Sequence, residues 1–351
     1  MVDPNNLEEV KRVDPFNFRQ FITDFPNQFE TGLSLAKGIK LEGNFNKLVV
    51  SGMGGSALPV NLLQTYLYDY FTQRRDKEPI IVDINRYYPL PPLAYHNCLN
   101  LISSYSGTTE ETINAMNEAI AGGLPTIGIS SGGDIERLCH EHNVPHIKLP
   151  IPFENFQPRE GTGYFLSIFY QLMVNHGLVE DASHLMLTGA QKMRENMEKF
   201  DKIGRELSQK LVGKTPIIYA SAKYASVAMI WKIKLNENAK TPTFWNYFPE
   251  VNHNEMQGFG HPQAKFIAVM LKDPDDVPRN IKRYKAMAEV ISEKGVESEI
   301  LEMEHGDVFY KMFSSVLISD FTSYYLALAY DQDPTPVQMV EDFKKIIVRG
   351  E

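Results

Sequence analysis

The chain has 351 residues, 43% of them hydrophobic, which is enough for two domains that each bury a core. Its formal net charge of −9 and the absence of a basic run argue against a nucleic-acid-binding protein, so nucleic acid is not expected as a partner. The sequence has neither an uninterrupted apolar run of about 18 residues nor a basic and apolar leader, and this predicts a soluble, cytoplasmic protein without a membrane partner.

The first half of the chain alternates short apolar runs with helical patterns. Residues 1–42 are predicted to form a helical lead-in with a phenylalanine-rich apolar face. Short strands follow, with helices between most of them, at 48–50, 80–84, 99–102, 126–129 and 146–149. This alternation is typical of a parallel sheet that is covered on both faces.

Two strand-to-helix turns in this half combine glycine with small hydroxyl residues. The first is GMGGSA at 52–57, where Ser56 is expected to cap the next helix, and the second is SYSGTTEET at 104–112. Glycine lets backbone approach a ligand, and unpaired N–H groups at a helix start attract anions. The pair of turns therefore predicts a phosphate site, although each turn alone is also compatible with an ordinary helix cap.

In this order the two turns resemble those of the sugar isomerase (SIS) domain. The resemblance implies a doubly wound α/β fold that holds phosphosugars. Neither turn is a Walker loop, which needs Gly-Lys-Ser/Thr, and neither is a dinucleotide fingerprint.

The stretch IPFENFQPREGTGY at 151–164 interrupts the alternation. Pro152 and Pro158 break any regular element, and Arg159 follows directly. Judged alone, Arg159 would most often be a solvated loop charge. Helices over 163–211 then form the predicted connection between domains.

A second, degenerate alternation begins at Pro216. Strands are predicted at 217–220, 243–248, 266–271 and 298–303, and helices at 222–238, 277–294 and 312–330. Its first turn, SAKYAS, lacks the glycines of the first half, so we expect one sugar-phosphate site per pair of domains. The predicted domains are the lead-in plus first SIS domain at 1–165, a helical connection at 166–210, and a second SIS domain with a C-terminal helix at 211–351.

Two residues of the second half are candidates for acid–base chemistry. Glu237 ends a predicted helix in the stretch NENAK, and His253 follows sixteen residues later in VNHNE. A carboxylate and an imidazole near opposite ends of one short strand can serve two proton transfers on one substrate. Seen alone, each residue is more often an exposed side chain without such a role.

The cysteines and histidines give no metal-binding pattern. Cys98 and Cys139 form no CxxC pair and are predicted to be reduced, with a disulfide between them as the minor alternative. His140, His142 and His146 lack convincing ligand spacing. We therefore expect neither a metal nor a cofactor.

Ordered motifs over residues 45–345 resemble the bifunctional phosphoglucose/phosphomannose isomerase family. They are GMGGSA, SYSGTTEET, QPRE..GY, NENAK, E.NHNE at 250–255 and DPTPV..V..FKK at 333–345. The resemblance implies two doubly wound parallel-sheet SIS domains joined by helices. It also implies a metal-independent aldose–ketose isomerase that interconverts glucose 6-phosphate and/or mannose 6-phosphate with fructose 6-phosphate through a cis-enediol.

The same resemblance implies roles for individual residues. The substrate phosphate would be held by Gly55, Ser56, Ser104, Ser106 and Thr109. Glu237 matches the general base that moves a proton between C1 and C2, His253 and Lys344 match the groups that open the sugar ring, and Arg159 matches the cation beside the enediolate. The family further implies a homodimer in which His253 reaches the site from the neighbouring chain.

Other interpretations differ in function or in one residue. A non-catalytic phosphosugar sensor would normally carry an output module, and none is evident; an isomerase for a related phosphosugar also stays open. A glucosamine-6-phosphate synthase needs an amidotransferase domain with an N-terminal cysteine, whereas this chain begins Met1-Val2-Asp3. A zinc-dependent mannose-phosphate isomerase is disfavoured by the histidine spacing. Lys345 is the alternative to Lys344.

Overall fold

The computed structural model describes residues 2–153 and 155–348. The chain divides into two compact units. The five-strand unit consists of Asp24–Glu195 and Gly306–Phe313, and the four-strand unit consists of Met1–Thr23, Asn196–His305 and Ser314–Glu351. The start of the chain, Met1–Thr23, thus belongs to the four-strand unit. No helix within the described ranges is long and apolar enough to cross a membrane.

The five-strand unit is built on a fully parallel sheet with strand order β2-β1-β3-β4-β5. Its strands are β1 Lys47–Gly52, β2 Ile81–Asn85, β3 Cys98–Ser103, β4 Thr126–Ser130 and β5 His146–Lys148. Its helices are α3 Asn27–Ala36, α4 Leu58–Gln73, α5 Glu110–Ala121, α6 Gly133–Glu141, α7 Thr162–Asn175 and α8 Ser183–Glu195. The predicted strands and the doubly wound arrangement are confirmed.

Burial explains why these strands could be found in the sequence. Every residue of β3 and β4 is buried, because central strands of a parallel sheet are covered by helices on both faces. Such strands consist of nearly continuous apolar residues. One side of the core joins Val49 and Ile102 to Ala115, Met116 and Ile135.

The four-strand unit repeats this plan with strand order β7-β6-β8-β9, again fully parallel. Its strands are β6 Thr215–Ser221, β7 Phe244–Phe248, β8 Phe266–Lys272 and β9 Glu297–Glu302. Its helices include α1 Leu7–Val13, α2 Phe18–Asp24, α9 Met197–Leu211, α10 Ala225–Glu237 and α11 Pro278–Ser292. The second alternation predicted from sequence is confirmed.

Two helices follow the last strand where one was predicted. Helix α12 spans Val308–Ala329, close to the predicted 312–330, and α13 spans Gln338–Val348. The described side chains of α13 are all exposed, including Met339 and Phe343. Because the apolar residues of α13 cover no core in the part of the chain that the structure describes, the sequence showed this stretch as a motif and not as a separate helix.

Both cysteines are free and buried, which confirms that they are reduced. Burial raises the pKa of the Cys98 thiol to about 12 and that of the Cys139 thiol to about 12. Since the thiolate is the reactive form, both side chains are inert near neutral pH.

Candidate functional site

The two glycine- and hydroxyl-rich turns leave the five-strand sheet side by side. Neighbouring strands β1 and β3 end their pairing at Gly52 and Ser103. The carboxyl ends of parallel strands share one edge of a sheet, so the turns that follow them begin at the same level. A Cβ on Gly52 would lie 2.7 Å from the carbonyl oxygen of Ser103, so this close start requires glycine.

Ser56 ties the first turn to the second. Its hydroxyl accepts a hydrogen bond of 2.9 Å from the Tyr105 backbone N–H, and its carbonyl accepts one of 2.9 Å from the Ser103 hydroxyl. The expectation that Ser56 caps α4 is wrong, because Ala57 occupies the N-cap position. The buried Ser56 hydroxyl keeps its own proton for a further acceptor.

The second turn is organised by its own hydroxyl groups. The Ser104 hydroxyl lies 2.9 Å from that of Thr109 and accepts a bond of 3.1 Å from the Gly107 N–H. The Ser106 hydroxyl accepts from both the N–H and the hydroxyl of Thr108, at 3.2 and 3.0 Å. Ser104 is buried whereas Ser106 is exposed, so the turn presents hydroxyls from its base to its rim. It leads directly into the N-terminus of α5, where N–H groups favour an anion.

A third turn, after β4, supports the second and was missed in the sequence. Gly107 has φ +71°, and a Cβ there would lie 1.8 Å from the Gly132 carbonyl oxygen. The Gly107 carbonyl accepts from the Ile135 N–H at 3.1 Å, and the Tyr105 carbonyl accepts from the Ser131 N–H at 2.8 Å. Backbone therefore packs on backbone without intervening side chains. The available signal was the Gly132-Gly133 pair after a strand, which by itself indicates only a turn.

Arg159 lies against the first turn and is buried. A Cβ on Gly55 would come within 2.6 Å of the Arg159 backbone nitrogen. The Arg159 side chain is 2% exposed, and its Nε lies 3.3 Å from a carboxylate oxygen of Glu160. The Gln28 amide donates to the Glu160 carbonyl at 2.7 Å, which fixes the segment from the side of α3. The alternative of a solvated loop charge is therefore wrong for Arg159.

Glu237 is the last residue of α10 in the four-strand unit, and it is half-buried. The Lys240 ammonium donates to the Glu237 backbone carbonyl at 2.7 Å. The next residue, Asn238, is fully buried and donates to the Ser323 hydroxyl at 3.0 Å. One turn earlier Lys234 pairs with Asp320 at 2.7 Å, with both side chains 2% exposed. Buried polar contacts thus fix the end of the helix that carries Glu237.

His253 lies beyond the opposite end of β7 from Glu237, as the spacing predicted. It closes the short 3₁₀ turn Glu250–His253, and its side chain is exposed. The preceding residue, Asn252, accepts a hydrogen bond of 3.1 Å from an Arg283 guanidinium nitrogen on α11. The imidazole therefore projects from an anchored backbone.

The two C-terminal lysines have similar surroundings on α13. Lys344 lies 2.8 Å from a Glu341 carboxylate oxygen, and Lys345 lies 3.3 Å from one of Asp342. Both pairs are exposed, where such pairs contribute little to stability. The choice of Lys344 over Lys345 stays a prediction.

Contacts within the five-strand unit bring the predicted phosphate-binding residues together. Ser56 joins the two turns through Tyr105, Ser104 joins Thr109, and Gly55 lies against Arg159. Glu237, His253 and Lys344 belong to the four-strand unit. Among residues 2–153 and 155–348, no group of three or more His, Cys, Asp or Glu side chains is arranged to hold a metal ion.

Solved structures share this fold. A hypothetical protein of Thermus thermophilus superimposes with a TM-score of 0.71 over 97% of this chain and 92% of its own, at 14% sequence identity. A putative phosphosugar isomerase of Clostridium difficile 630 has a TM-score of 0.67 over 91% of this chain and 95% of its own, at 15% identity. At these identities the likeness shows the fold alone, and it confirms the predicted fold class.

Sequence relatives are more informative. Residues 200–347 match the family described as bacterial phospho-glucose isomerase C-terminal SIS domain. A D-glucosamine-6-phosphate 4-epimerase of Sulfolobus acidocaldarius is 28% identical over 64% of this chain and 68% of its own length. A bifunctional phosphoglucose/phosphomannose isomerase of Aquifex aeolicus is 29% identical over 97% of this chain and 98% of its own. Another, of Caldicellulosiruptor bescii, is 33% identical over 90% of this chain and 93% of its own. With its ordered motifs and paired parallel sheets, the chain belongs to the bifunctional phosphoglucose/phosphomannose isomerase family.

Proposed function

We propose that this chain is an aldose–ketose isomerase that interconverts glucose 6-phosphate and mannose 6-phosphate with fructose 6-phosphate. The observation that carries the proposal is the convergence of the two turns and Arg159 at one edge of the five-strand sheet. Hydroxyls, a helix N-terminus and a buried guanidinium are the groups that an anionic sugar phosphate requires. Family membership supports the same reaction.

The phosphate would bind to the turns and take no part in the reaction. Its ligands would be Gly55, Ser56, Ser104, Ser106 and Thr109. Because these groups are already held by hydrogen bonds to one another, little ordering is needed when the phosphate arrives. The binding energy of this unreactive group would then position C1 and C2 for proton transfer.

The chemical steps need a base, a ring-opening pair and a fixed cation. Glu237 would take the proton from one carbon and return it to the other, as a carboxylate does in general base catalysis. His253 and Lys344 would remove the proton of the C1 hydroxyl and deliver one to the ring oxygen. Arg159 stays charged throughout and would stabilise the enediolate as its negative charge develops.

Use of two aldoses follows from the proposed intermediate. Glucose 6-phosphate and mannose 6-phosphate differ only at C2, and both become the same enediol once C2 loses its proton. A site that tolerates either face at C2 on reprotonation would therefore accept both sugars. Val337, in the segment before α13, is our candidate for a residue that shapes this preference.

The proposal also includes an oligomeric state, a metal-independent reaction and a cellular location. We propose a homodimer in which His253 acts on the neighbouring chain's substrate, and the exposure of His253 is compatible with this. We also propose that the reaction needs no metal and takes place in the cytoplasm. The SIS domain limits at 165/166 and 210/211 stay proposals as well.

The reaction is tested by carbon NMR of fructose 6-phosphate incubated with the purified protein and a chelator in deuterated water. We expect both glucose and mannose 6-phosphate, deuterated at C2. Glucose 6-phosphate alone would restrict the enzyme to one epimer and direct attention to Val337. If neither product formed while the sugar phosphate still raised the melting temperature, the chain would be a sensor and not an isomerase.

A related phosphosugar is the second candidate, favoured by the similarity to a D-glucosamine-6-phosphate 4-epimerase. Epimerisation at C4 changes a carbon that the enediol route does not touch. The same NMR experiment with glucosamine 6-phosphate separates the two activities. A C4 epimer formed faster than any ketose from glucose 6-phosphate would replace our proposal.

The two C-terminal lysines provide a paired test of ring opening. We expect Lys344→Ala to lower kcat for cyclic glucose 6-phosphate by about 100-fold or more, because a positioned acid or base contributes about 100- to 10,000-fold to proton transfer. Lys345→Ala serves as the control, since it lies on the same helix with a similar ion pair. Loss of activity in Lys345→Ala with normal activity in Lys344→Ala would reverse the assignment.

A further inference from the structure

The side chain of Glu255, two residues after His253, connects the histidine loop to the sheet of the four-strand unit. One carboxylate oxygen accepts a hydrogen bond of 2.6 Å from the Tyr219 hydroxyl on β6. The other accepts one of 2.5 Å from the Asn246 side-chain amide on β7. Both oxygens are thus bonded to neutral donors on neighbouring strands. A carboxylate bound in this way makes charge-assisted hydrogen bonds, which are about twice as strong as neutral ones.

The loop is also fixed around the histidine itself. The Asn254 side chain donates to a Glu250 carboxylate oxygen at 2.6 Å and accepts from the Glu255 backbone N–H at 2.5 Å. On the other side of His253, Asn252 is held by Arg283 of α11 at 3.1 Å. The imidazole is exposed, yet Asn252 before it is bonded to a helix and Glu255 after it is bonded to two neighbouring strands.

Tyr219 holds its hydroxyl in a fixed position because its ring belongs to the core. It is fully buried and packs against Phe248, with ring centroids 6.1 Å apart. Burial, followed by the hydrogen bond to Glu255, raises the pKa of the Tyr219 hydroxyl well above its usual range. The hydroxyl therefore keeps its proton and remains a donor at any working pH.

We infer that Glu255 is a positioning residue for His253, which it holds in place through Tyr219 and Asn246. The inference rests on the proposed function, because the position of His253 matters for catalysis only if His253 opens the sugar ring. Acid–base groups must be held close to their productive geometry, and a displacement of about 1 Å costs about 100-fold in rate. An exposed imidazole on a loop meets this requirement only if the loop is fixed, and Glu255 supplies the bonds that fix it to the sheet.

The test compares Glu255→Gln with Glu299→Gln. Glutamine has the size of glutamate but carries no charge, so the bonds to Tyr219 and Asn246 lose their charge assistance, and its NH₂ replaces one of the two acceptor oxygens. Glu299 is the matched control: it is a half-buried carboxylate on β9 of the same unit, paired with Lys210 at 2.7 Å. Each variant is assayed for isomerisation and for exchange between the anomers of fructose 6-phosphate by NMR. Anomer exchange reports ring opening without the enediol step.

We expect Glu255→Gln to lower kcat and the rate of anomer exchange together by about 10- to 100-fold, with KM within about twofold. Glu299→Gln keeps both rates. Tyr219→Phe lowers them less, and the loss in the double variant is smaller than the product of the two single losses, because both substitutions act on the same Tyr219–Glu255 hydrogen bond. Unchanged anomer exchange in Glu255→Gln, or fully additive effects in the double variant, would overturn the inference. Melting curves identify any variant that fails to fold.

A further readout separates this inference from the proposed function. The imidazole resonances of His253, assigned with His253→Asn, are compared between the unsubstituted protein and Glu255→Gln. If the unsubstituted protein does not isomerise sugar phosphates, the proposed function fails. The positioning role still stands if these resonances shift or broaden in Glu255→Gln, and it is refuted if they do not change.

Discussion

Replacing Glu237 by glutamine is expected to lower kcat by about 1,000-fold while fructose 6-phosphate still binds. A general base contributes about 100- to 10,000-fold to a rate, and glutamine keeps the shape of the side chain without its basicity. The proposed phosphate ligands lie in the five-strand unit and are not altered by this substitution. Turnover is followed by NMR, and affinity by calorimetry with fructose 6-phosphate.

The control for this prediction is Glu141→Gln. Glu141 also ends a helix, α6, and its carboxylate lies 2.8 Å from an Arg137 guanidinium nitrogen on the surface. We expect this variant to keep its activity. If Glu237→Gln lost sugar-phosphate binding together with turnover, Glu237 would have a structural role instead of a catalytic one.

Replacing Gly107 by alanine is expected to destabilise the five-strand unit by about 4 kcal/mol. Alanine at a positive φ costs about 1 kcal/mol, and the new Cβ would in addition lie 1.8 Å from the Gly132 carbonyl oxygen. That neighbour is backbone, so relief of the overlap requires the two turns to separate. Urea denaturation followed by circular dichroism measures the effect. Weaker binding of fructose 6-phosphate is expected in parallel.

Comparison with Gly123→Ala separates the cost of the close contact between Gly107 and Gly132 from the cost of placing alanine at a positive φ. Gly123 has φ +60°, and among the described residues nothing lies within 4 Å of the Cβ that alanine would add. This variant should lose only about 1 kcal/mol. Equal losses in the two variants would mean that the approach of Gly107 to Gly132 has no energetic importance.

The fold was predictable because its strands are buried on both faces. Strands such as β3 and β4 then consist of apolar residues between turn residues, which is the clearest pattern a sequence offers. Helix α13 was not separated from its neighbour, since its apolar side chains are exposed and cover no core among the described residues. Local sequence patterns identify elements that bury one face. The described side chains of α13 are exposed, so it has no such face.

The composition of the candidate site could be predicted from the sequence, and its arrangement less so. Ser104, Ser106 and Thr109 stood out because hydroxyls crowd one turn. The burial of Arg159 could not be read from its neighbours in sequence, because its segment lies against Gly55 and is bonded to Gln28, which are both far away in the chain. The turn at Gly132 was missed for the same reason: its importance lies in a contact with another turn.

The two buried thiols make this chain convenient for site-specific labelling. Cys98 and Cys139 are the two cysteines of the sequence, and burial keeps both from reacting with maleimides near neutral pH. A cysteine introduced at Met339, which is 87% exposed, would therefore react selectively in an otherwise native chain. A fluorophore or spin label at that position would show whether the helix that carries Lys344 moves while a sugar phosphate is titrated in.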